Sequence, residues 1–200
     1  PTLRTNMRAR LSALPSNSKE WSLTFTGRLS QEHFYDEAFA LVDEYLIEVP
    51  DEVDALYARS LLASQLGRPE HTEVDLRRLL SIDPNHVDAL NALGYTLADM
   101  GKNLDEAQML IERAYKARPT SAAILDSVGW LALRQSNLSK AVTFLARALA
   151  MDNDAEIAAH YGEALWLNGN KALARAIWKE GLEQTPDHHN LKSTMQRLDK

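Results

Sequence analysis

The amino-acid sequence predicts an all-α protein built from about five copies of a helix–turn–helix unit. The prediction rests on two regularities of the 200-residue chain. First, a proline recurs about every 35 residues, at Pro15, Pro50, Pro84, Pro119 and Pro186. The spacings are 35, 34, 35 and 67 residues, and Asn153 takes the place of a proline in the middle of the last interval. Second, two amphipathic stretches of about 12 to 15 residues lie between each of these positions and the next. That is the length of ordinary short helices. Such a period is typical of stacked repeats.

Small residues recur with the same period in both helices of the unit. One series is Thr26, Ser60, Gly94, Gly129 and Gly162. The other series is Ala38, Thr72, Ala107, Ala141 and Ala174. We expect the two series to face each other, so that the helix backbones approach closely where they cross.

Turns are marked by Gly67, Gly101 and Gly169, with Ser136 at the missing step. Glycine ends the first helix in a conformation that other residues resist. Proline ends the second helix, because the residue before it avoids the helical region.

The period divides the chain into successive segments. Residues 1–18 are expected to be the second helix of a truncated upstream repeat, which self-associates or is disordered. Their apolar stripe is Leu3, Met7, Leu11 and Leu14. Within residues 19–186, five units follow, at about 19–52, 53–86, 87–121, 122–154 and 155–186. Residues 187–200 are expected to be a capping helix, which covers the apolar end of a repeat array, with an apolar face made by Leu191, Met195 and Leu198.

Composition excludes several classes of protein. With 45% hydrophobic and 25% charged residues, the chain resembles ordinary globular proteins. The net charge of −6 argues against unspecific nucleic-acid binding, which needs clustered cations. The absence of cysteine excludes thiol nucleophiles and thiolate metal sites. No apolar run approaches the roughly 18 to 20 residues that cross a membrane.

Catalytic motifs are absent from the sequence. It has no G-x-S-x-G, no phosphate-binding glycine loop and no H-E-x-x-H. Glu156, His160 and Glu163 share one helix face, and we favour a polar stripe over a metal site there. The sequence therefore predicts a protein that is not an enzyme and has no cofactor.

The segment 89–119 has the most complete repeat. It contains Leu93-Gly94, the turn at Gly101, Asp105-Glu106-Ala107 and Pro119. This arrangement resembles the tetratricopeptide repeat, a helix–turn–helix unit of about 34 residues. The resemblance implies a right-handed superhelical solenoid that binds a partner protein or peptide in a concave groove.

Three strings narrow the resemblance: LNALGYTLAD at 90–99, ILDSVGWLALRQSNLSKAVTFL at 124–145 and AEIAAHYGEALWLNGNKALARAIW at 155–178. They are similar to the C-terminal repeats of proteobacterial outer-membrane tetratricopeptide lipoproteins, some of which are adaptors of carboxyl-terminal processing proteases. The resemblance implies a periplasmic protein that is anchored to the outer membrane by a cysteine upstream of Pro1. Its partner would be a periplasmic protease or the protease's substrate. A cytoplasmic location is the alternative.

In tetratricopeptide arrays the first helices line the concave groove, and here they present a recurring aromatic residue. The candidate groove residues are Tyr57, Asn91, Tyr95, Asp126, Trp130, Arg134, His160, Glu163 and Trp166. Aromatic and arginine side chains are frequent anchors of protein interfaces. The alternative for the aromatic residues is packing between neighbouring helices.

Two further alternatives remain open. Residues 29–58 contain nine acids and no Lys or Arg, and the acids at 32–54 form either a solvated outer face or a patch that attracts a basic partner. The chain could also be a self-assembling structural module or a non-catalytic domain of a larger enzyme.

Overall fold

The structure, a computed structural model, describes residues 26–199. Residues 26–31 are helical, and ten helices follow in these residues: α1 (Tyr35–Glu48), α2 (Val53–Gln65), α3 (Pro69–Ile82), α4 (Val87–Met100), α5 (Leu104–Ala117), α6 (Ala122–Arg134), α7 (Leu138–Met151), α8 (Ala155–Leu167), α9 (Lys171–Gln184) and α10 (His189–Leu198). No strand occurs between residues 26 and 199, and the predicted all-α class is confirmed. The predicted helix at 1–18 and its self-association lie outside the described residues.

The turns inside the helix pairs have the predicted backbone geometry. Positive φ angles occur at Gly67, Gly101 and Gly169, with values of 65°, 65° and 88°. Ser136, at the step without glycine, has a φ of 62°, so a residue with a side chain takes the left-handed conformation there. His33, one period before Gly67, does the same with a φ of 61°.

Capping side chains fix where several helices begin. Asp154 accepts hydrogen bonds from the backbone N–H groups of Glu156 and Ile157, at 2.8 and 3.4 Å, and caps α8. Asn137 caps α7 in the same way through the N–H of Lys140 at 3.2 Å. These short polar side chains satisfy N–H groups that have no partner within the helix.

The crossing of each helix pair is as tight as the small-residue series predicts. A Cβ atom added to Gly129 on α6 would lie 2.5 Å from Cγ of Leu145 on α7. One added to Gly94 on α4 would lie 2.6 Å from Cγ1 of Ile111 on α5. Ala107 and Ala141 on the opposite helices are completely buried. Close approach of the backbones therefore leaves no room for a larger residue.

The chain divides into two compact units between Ala89 and Leu90, within α4. In the first unit α2 packs against both α1 and α3, around a core that includes Val42, Leu76 and Leu79. In the second unit α6 packs against α5 and α7, and α8 packs against α7 and α9.

The helix α10 packs against α8 and α9. Leu191 is completely buried in a cluster that includes Trp178, and Met195 and Leu198 pack against the same cluster. The apolar side chains of α10 therefore pack against the rest of the second unit. No helix among residues 26–199 combines the length and the apolar character that crossing a membrane needs.

Candidate partner-binding site

The candidate residues of the second unit lie on α4, α6 and α8, the first helices of successive pairs. Asn91 and Tyr95 lie on α4, whereas Asp126, Trp130 and Arg134 lie on α6. His160, Glu163 and Trp166 lie on α8. Tyr57 belongs to the first unit, where its ring lies 5.4 Å from the ring of His86.

Three of these side chains, together with Glu156, converge on His160. Its Nδ1 lies 2.9 and 3.1 Å from the two carboxylate oxygens of Asp126. Its Nε2 lies 3.4 Å from the Tyr95 hydroxyl and 3.6 Å from Oε1 of Glu156. The imidazole also stacks on Trp130, with ring centroids 4.1 Å apart. We call Tyr95, Asp126, Trp130, Glu156 and His160 the His160 cluster.

Most of the His160 cluster is enclosed. His160 is 5% exposed, and Asp126 and Trp130 are each 7% exposed. The indole Nε1 of Trp130 and Oδ1 of Asn91 are buried and have no hydrogen-bond partner among the described residues. For Trp130 the structure therefore favours packing between helices over an open contact surface.

Arg134 is the exposed member of the candidate set on α6. Its Nε donates a hydrogen bond to the carbonyl oxygen of Ala98 on α4, at 3.2 Å. Its guanidinium carbon lies 5.8 Å from the centroid of the Trp130 ring, a distance at which a cation is attracted to an aromatic face. Arg134 therefore contacts the enclosed Trp130 and is itself exposed to solvent.

Glu163 and Trp166 form a separate group that faces α9 and α10. Glu163 is 8% exposed and accepts a hydrogen bond from Nη2 of Arg197 at 2.7 Å. Trp166 stacks on Trp178 with centroids 5.6 Å apart. Lys171 and Arg175 also lie over its ring, at 4.7 and 5.1 Å. Glu163 and Trp166 therefore contact side chains of α9 and α10.

Burial and charge act in opposite directions on His160. Desolvation lowers the pKa of its imidazole, but the charge and hydrogen bond of Asp126, with the charges of Glu156 and Asp99, outweigh burial and raise the pKa above its usual range. Burial also raises the pKa of Tyr95, and the same three carboxylates add to that rise. The Tyr95 hydroxyl therefore keeps its proton, and His160 binds a proton more tightly than a free imidazole does.

The shared face of Glu156, His160 and Glu163 does not form a metal site. Glu156 lies near His160, but Glu163 pairs with Arg197. Within residues 26–199 no group of three His, Cys, Asp or Glu side chains could hold a metal ion.

Glu156 and Arg197 were not among the predicted site residues, although the sequence holds a signal for them. The side chains of Asp126 and His160 meet, and they are 34 residues apart. The pairs Glu163–Arg197 and Glu156–Asn190 also meet and have the same separation. One repeat period places residues at equivalent positions of neighbouring helices. Complementary polar residues one period apart therefore mark these contacts.

Arginines of the first unit partly neutralise the acidic stretch at 32–54. Arg59 contacts Asp43 at 2.5 Å and the buried Asp75 at 2.6 Å. Two further pairs are Arg68–Asp36 at 2.8 Å and Arg78–Asp51 at 2.6 Å. This pairing weakens the field that a basic partner would meet and favours the solvated outer face over an attracting patch.

Comparison with known proteins now identifies the family. Three models described as tetratricopeptide repeat match residues 53–86, 76–109 and 128–189. The chain belongs to the tetratricopeptide repeat (TPR) family. It is 42% identical over 135 residues to a TPR repeat-containing protein of Pseudomonas aeruginosa, a match covering 68% of this chain and 23% of that protein. The chain thus spans less than a quarter of that curated relative.

Solved TPR structures share the fold. A thermophilic TPR protein of Thermus thermophilus has a TM-score of 0.75 at 22% identity, over 90% of this chain and 98% of its own. A TPR protein of Parabacteroides merdae has a TM-score of 0.72 at 18% identity, over 96% of this chain and 75% of its own. YrrB, described as a TPR protein with an unusual peptide-binding site, has a TM-score of 0.58 at 15% identity, over 94% and 97%. The fold is therefore an all-α TPR solenoid.

Proposed function

We propose that this chain is a non-catalytic scaffold that binds a partner protein or peptide on the α4–α6–α8 surface of its second unit. TPR repeats indicate a protein–protein interaction scaffold. The observation that carries the choice of surface is the exposed guanidinium of Arg134, which lies over the ring of Trp130 and is hydrogen-bonded to the carbonyl oxygen of Ala98. The similarity to YrrB, a TPR protein with a peptide-binding site, supports a peptide segment as the occupant.

Within this surface the residues have different roles. Arg134 is exposed and is the residue that contacts the partner. A guanidinium group pairs with a carboxylate in a planar geometry, so the partner presents an acidic side chain or another strong acceptor. Trp130 is enclosed and lies under Arg134, and His160 stacks on Trp130. Tyr57 stays a predicted contact of the first unit.

The chemistry of the cluster supports a non-catalytic role. An Asp–His pair can act as a general base only if the free imidazole nitrogen reaches a substrate. Here Nδ1 of His160 faces Asp126, and Nε2 faces the Tyr95 hydroxyl and Glu156. At 5% exposure the imidazole has no open side for a reacting group.

We further propose that the parent protein is an adaptor of the bacterial periplasm, anchored to the outer membrane, whose partner is a processing protease or its substrate. The support is the likeness of 90–99, 124–145 and 155–178 to outer-membrane TPR lipoproteins, together with the P. aeruginosa relative. Cell fractionation of the tagged full-length protein tests the location. Recovery in the cytoplasmic fraction alone would contradict it.

Partner capture by matched arginine variants tests the binding surface. We would capture partners from an envelope extract with the wild-type chain, identify them, and measure Kd by calorimetry. Arg134→Ala should weaken binding by about thirtyfold, the loss of one anchor worth about 2 kcal/mol. Arg147→Ala is the matched control, because Arg147 is also an exposed arginine over an aromatic ring, 5.2 Å from Phe144 on α7.

The same experiment separates the alternatives. Equal affinity of wild type and Arg134→Ala, with binding lost when Glu44 and Glu48 are changed to Lys, would move the site to the acidic face. Recovery of only the chain itself, with a mass in ultracentrifugation that rises with concentration, would favour a self-assembling module. Trp130→Ala is a weaker test, since it also removes the ring on which His160 stacks.

A further inference from the structure

His160 has an arrangement that suits a charged imidazolium. A neutral imidazole has one N–H and one bare nitrogen, so only one of its nitrogens can donate. In this structure Nδ1 faces Asp126 and Nε2 faces Glu156, so a carboxylate lies near each nitrogen. Only the imidazolium can direct an N–H toward each of the two carboxylates. The stacked Trp130 ring, 4.1 Å away, also favours a cation over its face.

The charged and titratable groups around the imidazole come from three helices. Helix α4 contributes Tyr95 and Asp99, α6 contributes Asp126, and α8 contributes Glu156. Three of these four residues carry a carboxyl group, and Tyr95 carries a hydroxyl group. The surroundings therefore hold the proton on His160 in spite of its burial, and the imidazole loses that proton above the usual histidine range.

Glu156 links the cluster to α10. Its carboxylate accepts hydrogen bonds from Nδ2 of Asn190 at 2.9 and 3.1 Å, and it lies 3.5 Å from Nε2 of His188. Glu156 is thus shared between His160 and the start of the last helix. A change of charge on His160 therefore changes one of the interactions of the Glu156 carboxylate.

We propose that His160 is a pH-dependent latch within the α4–α6–α8 surface, which holds Glu156 on the His160 cluster when the imidazole is charged and releases Glu156 when it is neutral. In the closed state the imidazolium donates Nδ1–H to Asp126 and directs Nε2–H toward Tyr95 and Glu156. When pH rises, the Nε2 proton leaves to solvent. The Tyr95 hydroxyl then donates to the bare nitrogen, and the lone pair of that nitrogen repels Glu156, which keeps only its contacts at the start of α10.

This latch lies in the proposed binding surface, but its titration does not depend on whether a partner is bound. The latch is closed at pH values below about 6.5, the pKa of a free imidazole, and it opens as pH rises through the higher pKa of the folded protein. In the same step Trp130 loses the charge of the imidazole that stacks on it. Trp130 and His160 should therefore report the same transition.

Nuclear magnetic resonance of the ¹⁵N-labelled chain between pH 5.5 and 9 tests the latch. We expect the His160 imidazole signals to change with a midpoint above 6.5 and the Trp130 indole signal to follow the same midpoint. Asp126→Asn should lower the midpoint by about one pH unit or more, a tenfold loss of proton affinity. Asp105→Asn, an equivalent change at an exposed position on α5, should leave it unchanged.

Glu156→Gln is the second variant, in case Asp126→Asn does not fold. It keeps an oxygen that can accept from His160 but removes the charge, so it should also lower the midpoint. A wild-type midpoint at or below 6.5 would overturn the proposal. So would a Trp130 signal that does not change with His160, or a midpoint that neither variant moves.

Discussion

Gly129→Ala tests whether the crossing of α6 and α7 is as close as the structure indicates. A Cβ atom at position 129 would lie 2.5 Å from Cγ, 3.0 Å from Cδ2 and 3.1 Å from the backbone nitrogen of Leu145. Leu145 is completely buried, so its side chain has no free space to enter. One contact is with backbone, so a rotamer change alone cannot relieve the clash.

Two opposing effects set the size of the change. Alanine is favoured over glycine in a helix interior by about 1 kcal/mol. Overpacking a rigid core costs about 1 to 3 kcal/mol, and the backbone contact puts Gly129 at the upper end. We expect a net loss of about 2 kcal/mol in the free energy of unfolding, which corresponds to about 4 to 8 °C in Tm for a chain of this size.

The matched control is Gly27→Ala, because Gly27 is also helical but no atom of residues 26–199 lies within 4 Å of its added Cβ. The free energy of unfolding of that variant should rise by up to about 1 kcal/mol. Both variants would be measured by urea unfolding followed by circular dichroism. If Leu145→Ala is introduced first, Gly129→Ala should destabilise less, because the two side-chain contacts are then gone and only the 3.1 Å contact with the backbone nitrogen remains. Stabilisation of the wild type by Gly129→Ala would refute the assigned crossing.

Three further predictions concern single residues. Ser136→Gly should stabilise by about 1 kcal/mol in the same assay, because a left-handed φ of 62° suits glycine better, whereas Gly169→Ser should destabilise. Arg59→Met should cost about 3 kcal/mol at pH 7, because it leaves the buried Asp75 carboxylate without its arginine; no loss would show that the pair is not formed. The raised pKa of His160 stabilises the fold fully below about pH 6.5, and this stabilisation should decline as pH rises through the folded-state pKa; His160→Gln should flatten that part of the stability–pH curve.

The candidate site was predictable in part. The period placed Tyr95, Asp126, Trp130 and His160 on equivalent first helices, and these residues do meet. Their enclosure was not predictable, because burial depends on how closely neighbouring helices pack. A polar face on a helical wheel looks the same whether it faces water or another polar face. Trp166 shows the same limit, since its stacking on Trp178 depends on how α8 lies against α9.

The sequence by itself determined the all-α class and the close crossings, because each depends on local residue type and a regular spacing. Small residues where helices touch, and glycine at most of the left-handed turns, are requirements of geometry that leave a periodic trace. Only the tertiary structure decided that His33 completes the turn series, that arginines pair with the acidic stretch, and that His160 is buried between carboxylates. These outcomes depend on distances of a few ångström between side chains on different helices, which sequence spacing alone does not determine.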